Sequence, residues 1–212
     1  MSRIKILSPE TVSISEEAII EEGVTIYPNN HIFGKTIVRK NAVLYPNNII
    51  TDSEIGEGAS VTASVLEGAK VGINAQVGPF SHLRKGADVG EGCRIGNYVE
   101  IKNAKIGAGS KVSHLTYVGD ATVGKDCNIG CGVIFCNYDG KTKKSSVIED
   151  DCFIGSNVNI VAPVTVGKGS FVAAGTTVTK DVERGAFVIG RVRQQENAHL
   201  AEKYARKGGK NE

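Results

Sequence analysis

Residues 87–112 read ADVGEGCRIGNYVEIKNAKIGAGSKV, and the spacing of their apolar residues decides the fold. Val89, Ile95 and Ile101 stand six apart, Ile106 follows after five, and Val112 after six again. An amphipathic helix places apolar residues at spacings of three and four, so this period is not helical. A period of six belongs to a parallel β-helix. Each hexad supplies one short strand and a turn, and three hexads close a triangular coil.

Followed in both directions, the spacing takes in 28 positions from Ile14 to Val178, all aliphatic except Phe135. In this frame Ile14, Ile20, Ile26 and Ile32 lead, after a step of five, to Ile37, Val43, Ile49, Ile55 and Val61. Eleven of the positions are followed directly by Gly, which suits a tight corner. The residue two before is often small, as with Ala75, Ala87, Cys93, Ser110, Cys127 and Cys152. Stacked Ile and Val fit the inside of a pleated prism. The expected architecture is all-β, about nine coils, on the order of 45 Å long at a strand spacing of about 4.8 Å. Cys93, Cys127 and Cys152 then read as small core residues, since a free Cys packs like a small hydrophobe.

The 212 residues carry a net charge of +2, so bulk electrostatics favour neither nucleic acid nor a membrane surface. Five cysteines without a CxxC pair argue against a disulfide framework or a structural zinc site. The start, MSRIKILSPE, lacks a signal-peptide apolar core, and no run has transmembrane length. A cytoplasmic protein with reduced thiols is expected.

A solenoid is monotonous, so its interruptions are where function is inserted. The largest is CNYDGKTKKSS, 136–146, whose Asp-Gly marks a turn in a loop that leaves the prism. The organisation expected is a lead-in at 1–13, a β-helix over 14–193, and a C-terminal helix and tail at 194–212. Residues 195–206 have helix-forming composition and a helix there would cover the last coil. Arg84 and Lys102 each follow an inward aliphatic residue and stand 18 apart, which predicts that they stack on one edge, one coil above the other. The step of five from Val118 to Val123 is expected to reshape the coil beside His114.

From Val77 onward the motifs HLTYVGD (114–120), CNYDGKTK (136–143) and APVTVGKG (162–169) narrow the reading. Together they resemble the acetyltransferase half of the bacterial bifunctional N-acetylglucosamine-1-phosphate uridyltransferase/glucosamine-1-phosphate N-acetyltransferases, over about residues 77–193. The resemblance implies a left-handed coil, against the general right-handed preference of β-crossovers. It implies a homotrimer with active sites between subunits and acetyl-CoA as co-substrate, with no metal needed. His114 matches the proton acceptor, and Glu100 is expected to orient its ring. Histidine suits removal of an amine proton near neutrality. Arg84, Lys102, Tyr117, Asn128 and Lys143 match contacts to the sugar phosphate. Asn137, Tyr138, Ser156, Ala174 and Arg191 match contacts to acetyl-CoA. Cys131 falls at a further acetyl-CoA position where the family usually has Ala. No nucleotidyltransferase domain precedes the hexads, so uridyltransferase activity is not expected here and a separate uridyltransferase is the implied partner.

Three other readings stay open on the residues alone. One is a hexapeptide acyltransferase for another amine or a hydroxyl. Another is a β-helix carbonic anhydrase, which needs three zinc-binding His that this chain does not space suitably. The last is a non-catalytic β-helix partnering a separate nucleotidyltransferase.

Overall fold

The computed structural model describes residues 3–197 and 200–203. Its thirty short strands form three parallel sheets of 11, 10 and 9 strands, each made of every third strand in chain order except that the last strand, Phe187–Val188, closes the 11-stranded sheet out of turn. The sheets are the faces of a triangular prism of about ten turns, consistent with the left-handed β-helix. One turn more than the hexads suggest is present because Lys5–Ile6, inside the expected lead-in, already pairs with Thr25–Ile26.

The inward positions form one continuous core from Val24 to Val178. Burying one such aliphatic side chain stabilises by about 1.5–3 kcal/mol, repeated at almost every corner-to-corner run. The small residues two before are buried as well, and their heads close the next corner. Ser110 Oγ donates to the Gly124 carbonyl at 2.7 Å, while the thiols of Cys93, Cys127 and Cys152 approach the carbonyls of Gly107, Glu149 and Gly167. These cysteines are free and serve the packing role read from the hexads.

The frame differs from the expected one between Ile32 and Ile55. Val38, Leu44 and Ile50 point inward with no exposed area, whereas Ile49 is 44% exposed. The step of five therefore falls between Ile50 and Ile55 and not between Ile32 and Ile37. The sequence is aliphatic at both members of each pair (37–38, 43–44, 49–50), so the periodicity alone fits either frame.

The five-residue step from Val118 to Val123 also lies elsewhere than expected. It turns the corner from the 10-stranded to the 9-stranded face at Gly119 and Asp120. His114 stands at the opposite edge, where the chain passes from the 11-stranded to the 10-stranded face. The loop at 136–146 leaves from the same corner as Gly119–Asp120, one turn further on: Ile134–Cys136 belongs to the 10-stranded face and Ser146–Ile148 to the 9-stranded face.

At the C-terminus the described residues hold a single 3-10 turn, Leu200–Lys203. Gln194 to Asn197 is exposed and without regular structure, so the expected helix over 195–206 is not formed there. The remainder of that segment lies outside the described residues. No helix among the described residues is long and apolar enough to cross a membrane.

The frame can be tested directly. Ile50→Ala is expected to cost about 2–5 kcal/mol through lost burial and cavity. Ile49→Ala, at an outward position, should stay within about 1 kcal/mol. Denaturant unfolding of both variants reads the difference, and a larger cost for Ile49→Ala than for Ile50→Ala would restore the other frame.

Candidate active site

The strands of the 11-stranded face are two residues long except for one pair, Arg94–Asn97 and Lys111–His114, which run to four. The extension depends on Gly96. A Cβ there would fall inside the Ser113 backbone carbonyl of the next coil, so only glycine allows the two chains to approach this closely. The longer ladder ends with Asn97 directly opposite His114. The His114 Nδ1 and Asn97 Oδ1 atoms are 2.8 Å apart. The His114 backbone carbonyl is held twice, by Thr116 Oγ1 at 2.7 Å and by the Gly132 N–H at 3.3 Å. Immediately beyond, Tyr98 and Leu115 turn the corner with φ of 56° and 47°. Bulky residues in the left-handed region cost about 1–3 kcal/mol each, so this corner is held in shape against backbone preference.

The same corner continues upward in register. Ile129 pairs with Ile154 and Ile154 with Val172, which stacks Cys131, Ser156 and Ala174 above His114, one coil apart each. The backbone bonds agree: Asn157 N–H donates to Cys131 at 2.8 Å and Gly175 N–H to Ser156 at 2.9 Å. Arg191 ends the column, its guanidinium donating to the Ala174 carbonyl at 2.8 Å. Four of the residues matched to acetyl-CoA thus form one rising line that starts at His114.

The cations gather on the 10-stranded face. Leu83 pairs with Ile101, so Arg84 and Lys102 stack as the 18-residue spacing predicts. Arg84 donates to the Glu100 carboxylate at 2.7 Å, which raises the guanidinium further above its ordinary value. Lys102 is pushed the other way. Contact with the Lys143 ammonium is the largest cause, followed by the charges of Lys143 and Arg84, and together they hold Lys102 below the usual lysine range. Arg84, Lys102 and Lys143 thus form a cluster of positive charge in which only Arg84 is paired with a carboxylate, that of Glu100, at salt-bridge distance.

Lys143 arrives there because the loop folds back on itself. Asp139 accepts from the backbone N–H groups of Thr142 and Lys141, which hold its carboxyl far below the usual range. Tyr138 bridges Lys143 in antiparallel register, and its hydroxyl donates to Gly140 at 2.7 Å. At the loop base Asn137 donates to Asp120 and lies 3.4 Å from the Tyr117 hydroxyl. A Cβ at Gly119 would occupy the place of that hydroxyl, so Gly119 is what lets Tyr117 lie along the face.

The structure therefore joins Arg84, Glu100, Lys102, Tyr117, Asn137 and Lys143 on one face, and His114, Cys131, Ser156, Ala174 and Arg191 on the adjoining corner. Asn128 stands apart, on the 11-stranded face between Lys111 and Phe153. Tyr138 is exposed on the loop, where its backbone bridges Lys143. Within this chain the Glu100 carboxylate engages Arg84, and the ring of His114 is met by Asn97. Asn97, Gly96, Gly119 and Asp120 were not anticipated. The rule that paired Arg84 with Lys102 also finds Asn97, which lies 17 residues, one coil, before His114.

A separate groove on the 9-stranded side, lined by Glu21, Arg39, Glu54, Lys70, Ile73 and Asp88, includes no histidine or cysteine. Among the described residues no group of three His, Cys, Asp or Glu is placed to hold a metal ion.

The model of the bacterial transferase hexapeptide (six repeats) matches residues 68–103 and 145–180. Over 191 residues the chain is 51% identical to the bifunctional protein GlmU of Carboxydothermus hydrogenoformans, covering 90% of this chain and 43% of that protein. It is 47% identical over the same length to GlmU of Shouchella clausii, covering 90% and 42%. The chain carries a hexapeptide repeat domain and is similar to these proteins over most of its own length. It spans less than half the length of these curated relatives. The fold is shared with the Arabidopsis UDP-N-acetylglucosamine acyltransferase, at a TM-score of 0.71 and 16% identity over 84% of this chain and 69% of that one.

Crowding of the cations yields a prediction. In Lys143→Met, Lys102 should titrate at higher pH than in the parent, because a neighbouring positive charge has been removed. Adding inorganic phosphate to the parent should raise it likewise. Carbon-13 NMR of reductively methylated lysines reads both effects, and an unmoved Lys102 in the variant would mean the two ammonium groups do not meet.

Proposed function

We propose that the chain is a glucosamine-1-phosphate N-acetyltransferase that takes its acetyl group from acetyl-CoA. The observation that carries this reading is the placing of two features on the two edges of one face, the 10-stranded one. The column rising from His114 through Cys131, Ser156, Ala174 and Arg191 adjoins a face bearing Arg84, Lys102 and Lys143. A phosphate monoester matches three clustered cations, with Arg84 offering a planar fork and the lysines point charges. Glu100, held on Arg84, orients that fork.

In the proposed reaction the sugar amine attacks the thioester carbonyl. A C–N bond forms, the C–S bond breaks, and CoA leaves as a thiol. His114 accepts the proton that the amine must lose and returns it to the departing sulfur. Tyr117 and Asn137 line the face between His114 and the loop, where the sugar ring would lie.

The division of the matched residues over different faces supports a homotrimer. Asn128 lies on the 11-stranded face, away from the cations of its own chain, and a neighbouring copy is what brings such surfaces together across a cleft. The product, N-acetylglucosamine 1-phosphate, would serve UDP-N-acetylglucosamine synthesis. The β-helix accounts for the acetyl transfer, and the uridylyl transfer that follows it falls to a different catalytic domain. A cytoplasmic location fits a reaction between two soluble metabolites.

A thiol-release assay with acetyl-CoA and glucosamine 1-phosphate tests the proposal. Turnover is expected with glucosamine 1-phosphate, and far less with galactosamine 1-phosphate or glucosamine 6-phosphate. It should fall ~100-fold or more in His114→Ala, the usual cost of removing a general base. No thiol release with any of the three sugars would leave the fold intact and favour the non-catalytic reading.

A further inference from the structure

We infer that Asn97 is the positioning residue that fixes which nitrogen of His114 carries the proton. The inference deepens the proposed function and rests on its assignment of His114 as the base. Its chemistry begins with the atom that Asn97 presents. An amide oxygen accepts hydrogen bonds and donates none, so Oδ1 at 2.8 Å from Nδ1 requires Nδ1 to bear hydrogen. The other nitrogen, Nε2, is then left with its lone pair in the neutral ring. That is the tautomer in which an imidazole has a free base to offer.

The backbone prepares this arrangement before any side chain acts. Gly96 lets the ladder between the two coils run two residues further than on any other turn of this face. The added length puts the Cα atoms of Asn97 and His114 side by side in parallel register, where facing side chains meet. The left-handed corners at Tyr98 and Leu115 then stop both strands at the same level. Coil spacing, chain ends and the His114 carbonyl are therefore all fixed, and the ring is set within hydrogen-bond reach of Asn97.

The choice of an amide matters. A carboxylate at this position would pair with a charged imidazolium and favour the protonated ring. The neutral oxygen orients the ring without that preference for charge. Glu100, the nearer carboxylate in sequence, is occupied by Arg84.

His82 provides an internal reference. Its Nε2, not its Nδ1, lies 3.1 Å from a Glu67 carboxylate oxygen, so the two histidines should show opposite tautomers in one sample. Long-range proton–nitrogen NMR of the full chain labelled with nitrogen-15 histidine reads both, with His114→Ala assigning the signals. It is run where imidazole rings are neutral. His114 is expected to carry its proton on Nδ1 and His82 on Nε2. In Asn97→Leu, which keeps the size and removes the acceptor, His114 should shift towards the Nε2–H form while His82 stays unchanged. In Asn97→Asp, which restores an acceptor, the Nδ1–H form should return. In the same variants kcat for acetyl transfer should fall ~10-fold or more in Asn97→Leu, with KM for the sugar phosphate little changed, and recover in Asn97→Asp at a pH high enough to keep the ring neutral, as expected for a base turned away from its proton.

An Nε2–H tautomer in the parent protein, or no change in Asn97→Leu, would overturn the inference. Should Asn97→Leu fail to fold, the parent tautomer and Asn97→Asp still decide it. The NMR measurement needs no substrate. An Nδ1–H ring in a protein that transfers no acetyl group would therefore reject the proposed function and leave the role of Asn97 standing.

Discussion

Every feature of this protein depends on one constraint: each coil must lie on the coil beneath it in register. Parallel strands stack through backbone hydrogen bonds spaced at about 4.8 Å, and the inward aliphatic residues stack with them. Because the register is fixed at Ile95 over Val77 and under Val112, the outward residues are fixed too. A functional group placed at one height is thereby set against the groups one coil above and below. This is how Arg84 comes to lie beside Lys102, and Asn97 beside His114, although each pair is separated by a full turn of chain.

The constraint also explains where the prism can be altered. Corners tolerate change, because the ladder bonds are made on the faces. The corner between the 10-stranded and 9-stranded faces accepts steps of five at Ile50–Ile55, Leu66–Val71, Ile101–Ile106 and Val118–Val123, and then a long loop after Cys136. The corner beside His114 is altered in the opposite sense, with longer strands and bulky residues in the left-handed conformation. One corner supplies a mobile cation, Lys143, on a turn tied by Asp139. The other supplies a rigid base.

Most of the fold was legible because a six-residue apolar period has no other common explanation. What misled was redundancy. With Ile37–Val38, Val43–Leu44 and Ile49–Ile50 aliphatic at both positions, nothing in the pattern distinguishes inside from outside, and only packing against the neighbouring coils does. The site was legible in its residue types and less so in its pairings. Glu100 lies close to His114 in sequence and has the chemistry of an orienting carboxylate, yet the chain turns a corner between them. Asn97 is farther along the chain and is the true neighbour, because in a solenoid proximity is counted in coils. The short 3-10 turn at Leu200–Lys203 shows the weakness of composition alone: residues that favour a helix form one only when a surface is there to receive it.

The central claim is that the two ligands of the proposed reaction lie along the two edges of the 10-stranded face, with His114 on one of them. Backbone amide NMR during separate titrations tests it most directly. Glucosamine 1-phosphate should perturb the face around Arg84, Lys102, Tyr117 and Lys143. Acetyl-CoA should perturb the corner at Cys131, Ser156, Ala174 and Arg191, with His114 shared by both. Perturbations centred instead on the groove at Glu21, Arg39 and Asp88, or the same residues responding to both ligands along the whole prism, would contradict the account.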